Sequence, residues 1–115
     1  MKDNQTKKEM IAQYKEREVV GGVYAIKSTQ NGKLLLLATT DMQGSKNRFA
    51  FAQSTDSCVD MKLRSDWNRQ GGGAFVFESL EELKKGETQT AKEFKTDIDT
   101  LKELWLDKLA DRELY

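Results

Sequence analysis

The first apolar residues are sparse and fall at helical spacing. Met10, Ile11 and Tyr14 form a short stripe in a polar segment, which predicts a helix over 3–18 that Gly21-Gly22 stops. A strand follows at Val23-Tyr24-Ala25-Ile26-Lys27, then a turn at Gln30-Asn31-Gly32-Lys33, where Asn-Gly suits the positive φ of a tight hairpin. Leu34 to Thr40 reads as a second strand. Its run of four leucines has no alternation, so both faces should be covered, or one should meet a partner. Asp41 or Ser45 is a fit cap for a helix over about 45–53. A second helix, opened by Asp56 or Ser57, carries Val59, Leu63 and Trp67 at helical spacing, and Gly71-Gly72-Gly73 ends it. Ala74 to Phe77 reads as a third strand, Leu80 to Leu83 as a short helical segment and Glu87 to Thr90 as a polar connection. A last helix over about 91–110 carries Phe94, Ile98, Leu101, Trp105 and Leu109 as one stripe. This order predicts a single α+β domain over 20–115, with three strands flanked by helices and an N-terminal helical extension over 1–19.

Composition narrows the chemistry. The 115 residues include no histidine, which removes His-based acid–base pairs and nearly all zinc sites. Any catalysis falls to Tyr, Arg, Lys and carboxylates. Proline is absent too, so turns rely on Gly, Asn, Asp and Ser. Cys58 is the only cysteine; it excludes an intramolecular disulfide, points to a reducing, cytoplasmic setting, and reads as a small half-buried side chain. No apolar run is long enough for a membrane span, and nothing near Met1 resembles a secretory signal. Net charge is zero, but residues 27–69 are net +3 and residues 78–113 net −4. The middle of the chain therefore offers a phosphate-facing surface, against an ordinary solvated face as the plainer reading.

Gly22-Val23-Tyr24 on a strand, then Asn31-Gly32-Lys33 and a second strand, resemble the opening of the GIY-YIG nuclease family. Asn47-Arg48-Phe49 in a helix continues the resemblance. So do Asp66-Trp67-Asn68, the glycine turn, Phe75 to Leu83 as an aromatic strand leading into Leu-Glu, and Leu101 to Leu106 as the final helix. The similarity covers residues 20–109 and implies a GIY-YIG-like three-stranded antiparallel sheet flanked by helices. It also implies cleavage of a DNA phosphodiester with Mg²⁺ or Mn²⁺. By resemblance, Tyr24 takes the place of the tyrosine near the attacking water, Arg48 that of the arginine on the scissile phosphate, and Lys33 that of a hairpin lysine. Such chemistry needs charge neutralisation and in-line positioning more than a strong nucleophile.

Two family positions are replaced. The second motif should read Tyr, apolar, Gly where this chain has Leu35-Leu36-Leu37, and the metal glutamate falls on Lys102, a residue suited to phosphate rather than to a cation. Glu103 is adjacent but on another side of the helix, a weak substitute as metal ligand. Three functions follow. One is a divergent domain that binds nucleic acid or another phosphate-bearing ligand, with weak or lost hydrolysis. Another is an active Mg²⁺- or Mn²⁺-dependent DNA endonuclease with a metal site rearranged around Glu103 or Glu78. The third is a protein-interaction module, with the leucine strand forming a homodimer.

Overall fold

The computed structural model describes residues 19–115; the helix expected over 3–18 lies outside them. The chain folds as α+β. Strands β1 (Val20–Ser28), β2 (Leu34–Thr39) and β3 (Phe75–Lys84) form one antiparallel sheet in the order β2-β1-β3. Helices α1 (Met42–Thr55), α2 (Arg64–Gln70) and α3 (Ala91–Lys108) flank it.

As the middle strand, β1 divides its side chains between two layers. Tyr24 and Ile26, opposite Leu37 and Leu35, face α1 and α2. There they join a core of Phe49, Ala52, Leu63, Trp67 and Phe75. Trp67 stacks on Phe75 at 5.1 Å and meets Phe49 edge-on at 6.2 Å. Such aromatic pairs add about 0.5–1.5 kcal/mol each beyond their buried area. Val23 and Ala25, opposite Ala38 and Leu36, face the other way, under α3. That helix crosses from Thr39–Thr40, where Lys95, Ile98 and Asp99 lie, to β3, where the Trp105 indole N–H donates to Glu81 at 3.0 Å. The leucine run is thus covered on both faces within the chain: Leu34, Leu35 and Leu36 are all buried.

Several boundaries differ from the sequence expectation. Gly21-Gly22 lies within β1. A Cβ on Gly21 would fall 2.5 Å from the Ile98 side chain, and one on Gly22 would fall 2.0 Å from the Glu81 carbonyl. Gly22 also has φ +146°, which L side chains rarely adopt. The segment Leu80–Leu83 is strand, not helix. Val23 faces Glu81 while Tyr24 faces Ser79, so Leu80 is an extra residue. This bulge breaks the period-2 pattern and leaves Leu80 and Leu83 at a spacing that mimics a helix.

Helix α1 begins at Met42 because the Asp41 carboxylate accepts the Gly44 N–H. It ends at Asp56, which sits in the left-handed region at φ 56°. The second helix starts later than expected. Val59 precedes it, and the Asp60 carboxylate accepts the Lys62 N–H to cap a 3-10 turn, Met61–Leu63, that runs into α2. Only Gly32 of the Asn-Gly pair has positive φ; Asn31 instead accepts the Lys33 N–H through its side chain. Helix α3 opens on a capping box between Thr90 and Glu93, which holds the Glu93 carboxyl below its ordinary value. Trp105 is half-buried at its far end, under Lys108, rather than a core anchor.

The final residues close the outer edge of β2. The Leu34 N–H donates to the Glu113 carbonyl and the Tyr115 N–H to the Leu34 carbonyl. The Tyr115 hydroxyl and the Asn31 amide both donate to the Asp66 carboxylate, which also pairs with Arg69. The Tyr115 hydroxyl chiefly holds the Asp66 carboxyl below its ordinary value of 3.8, with Asn31 and Arg69 adding to the effect and burial opposing it.

Two outcomes are expected. Gly22→Ala should lower stability by at least about 2 kcal/mol in urea unfolding, from backbone strain and the clash with β3. A change within about 0.5 kcal/mol would mean that β3 moves aside freely. A depressed carboxyl stabilises the fold above its ordinary value and loses that contribution as pH falls through its lower folded value. Asp66→Asn should therefore be less stable than wild type at neutral pH, with the gap closing below about 3.8. A gap that persists in acid rules out the charge as its source.

Candidate phosphate-binding cleft

Along α1, Ser45, Arg48, Phe49 and Ala52 recur at helical spacing on the side toward the sheet. Between them and Tyr24 lies an open cleft of about 760 Å³, walled by Ile26, Leu37 and Val59 and edged by Ser57, Cys58 and Asp60. Phe51, on the same helix, stands 67% exposed beside it.

The polar groups are ordered by short hydrogen bonds. An Arg48 Nη2–H donates to Ser45 Oγ at 3.0 Å, and the Ser45 hydroxyl donates to Thr39 Oγ1 at 2.9 Å. Arg48 has no ion-pair partner among the described residues. Its planar fork is suited to two oxygens of a phosphate. The Tyr24 ring stacks on Phe77 at 4.5 Å. Burial pushes its phenol up from the usual 10.0, while Ser45 and Arg48 pull the other way and Asp60 adds a small upward push. The net result disfavours the phenolate.

The other residues singled out from the sequence lie elsewhere. Lys33 sits in the hairpin loop, its ammonium 5.5 Å from the centre of the Tyr115 ring. Lys102 and Glu103 belong to α3, on the opposite layer of the sheet, and do not line the cleft. Glu78 faces Ala25 in register, and so points to that same opposite layer. Leu35 is buried in the core, and Leu37 forms part of the cleft wall without closing it.

Three cleft residues were not legible beforehand: Ser45, Phe51 and Asp60. Ser45 and Phe51 flank Arg48 at three residues on either side, a signal available once α1 is known to start at Met42. Asp60 had none, because the chain from Asp56 to Asp60 is not helical.

Asp60 is also the only carboxylate lining the cleft among the described residues, and its Oδ1 already accepts the Lys62 N–H. Among the described residues no three Asp, Glu or Cys side chains gather as metal ligands. Mg²⁺ keeps several waters and takes one or two carboxylates together with phosphate oxygens, and Asp60 is the carboxylate this cleft could offer it.

The architecture has solved counterparts. The catalytic domain of the homing endonuclease I-TevI superposes with TM-score 0.57 and 22% identity, covering 78% of this chain and 88% of that one. This chain has a GIY-YIG-like fold. A glutamate-to-alanine mutant of the same I-TevI domain matches with TM-score 0.57 and 23% identity, covering 79% of this chain and 84% of that one. No protein-family model matches the chain, and comparison with curated proteins finds no significant match. In the GIY-YIG-like fold described here, no helix among the described residues is long and apolar enough to cross a membrane.

The phenolate absorbance of wild type minus Tyr24→Phe should give a Tyr24 midpoint above 10.0. Arg48→Met should raise it further, because the guanidinium favours the phenolate. A wild-type midpoint at or below 10.0 would mean that burial does not prevail at this phenol.

Proposed function

We propose that this chain is a nuclease-like domain that binds nucleic acid, or another phosphate-bearing ligand, through the Tyr24–Arg48 cleft, with hydrolysis weak or lost. The observation that carries this reading is Arg48, held by Ser45 beside an open cleft and unpaired among the described residues. The likeness to an endonuclease catalytic domain makes DNA the first ligand to try. The same cleft supports binding better than cleavage. It has Leu37 in its wall where the second motif would supply Gly, a phenol shifted away from ionisation, and, among the described residues, one carboxylate already engaged as a cap. Lys33, Lys102 and Glu103 have no part in this reading, since none lines the cleft. The homodimer alternative has less support, because Leu34, Leu35 and Leu36 are buried within the chain.

The test joins a binding titration to a nicking assay. DNA binding by wild type should weaken with salt, and Arg48→Ala should lose affinity and reduce the salt slope by about one unit. An unchanged slope and affinity would remove Arg48 from the site. Supercoiled plasmid with Mg²⁺ or Mn²⁺ should be nicked no faster by wild type than by Tyr24→Phe or Arg48→Ala. Nicking by wild type that both variants abolish would replace this reading with that of an active endonuclease.

A further inference from the structure

The cleft does not end at Asp60. A second hollow of about 350 Å³, lined by Met61, Arg64 and Asn68, shares Cys58 and Asp60 with the first. The two hollows therefore adjoin and are taken together as one groove, with Arg48 lining the first, Arg64 the second and Asp60 both. Arg64, like Arg48, has no ion-pair partner among the described residues. Large apolar side chains stand exposed along this groove: Phe51 at 67% and Met61 at 84%.

The geometry points to a single-stranded nucleic acid as the occupant, with phosphates at the two arginines and unstacked bases against Phe51 and Met61. This rests on the phosphate reading of the Tyr24–Arg48 cleft and goes further, by choosing the strand state. Charge along the groove runs positive, negative, positive. A carboxylate at the centre repels a phosphate, but accepts hydrogen bonds from a sugar hydroxyl or a base amino group. That sequence of charges matches a phosphate, a nucleoside and a phosphate in turn. The exposed Phe51 ring provides a stacking face that only a splayed base can reach, since bases inside a duplex already stack on one another. An apolar-walled cleft of this volume takes a small planar group, not the rounded side of a double helix.

The experiment uses the full chain and fluorescence anisotropy, with a labelled single-stranded oligonucleotide and a hairpin duplex of the same composition. Wild type should bind the single strand at least about tenfold more tightly. Phe51→Ala should weaken single-strand binding by about 5- to 100-fold, the range of one lost base–aromatic stack, with the salt slope unchanged. Arg64→Gln should reduce the single-strand salt slope by about 0.7. Both substituted residues are on the surface, and circular dichroism checks that the variants fold. Equal or tighter binding of the duplex, or indifference to Phe51→Ala, overturns the inference while leaving an Arg48-dependent phosphate site intact. An unchanged slope in Arg64→Gln overturns the two-ended groove. Binding of neither oligonucleotide by wild type removes this inference and the DNA reading together.

Discussion

β1 is hydrogen-bonded along both edges, so its backbone cannot rotate and its side chains are divided between two layers. Tyr24 and Ile26 go to the α1 side, Val23 and Ala25 to the α3 side. This division decides which chemical groups can meet. Arg48 reaches Tyr24 because α1 lies over the same layer. Lys102 and Glu103 cannot join them without moving the helix from one face of the sheet to the other. The docking of α3 is in turn set by a close approach that glycine alone permits, with Ile98 against the Gly21 backbone.

Within that frame the cleft brings a guanidinium, a hydroxyl and a phenol together. There is no imidazole in the chain, and the one phenol in the cleft is pushed away from ionisation by its own burial. Ser45 fixes the direction of the Arg48 guanidinium. On the proposed reading, such a site would recognise negative charge better than it would activate water. Leu37 on β2 adds apolar wall, while Leu35 is buried in the core beneath.

Much of the fold was legible because it rests on local rules. The α3 stripe, the glycine turn after α2 and the hairpin all follow from spacing and turn chemistry. Tyr24 and Arg48 were found through a resemblance that survives 22% identity to the I-TevI catalytic domain. What escaped was non-local. The second half of β3 looked helical because its bulge at Leu80 is defined only by the partner strand. Asp60 was overlooked because it comes to the cleft from an irregular segment, held by its own capping contact. The layer that α3 occupies depends on which face of the sheet has room for a helix, which no periodicity along α3 states.

The two tryptophans fall one on each side of this division. Trp67 lies within the α1–α2 layer, 2% exposed, and its indole N–H finds no acceptor among the described residues. Trp105 lies in the α3 layer, half-buried, donating to Glu81 beneath the Lys108 ammonium. One indole is in a dry, apolar environment and the other in a polar, charged one, so their emission should differ in colour. The protein thus carries a built-in pair of optical probes, one for each layer, that can show whether the sheet sheds α3 before its aromatic core comes apart.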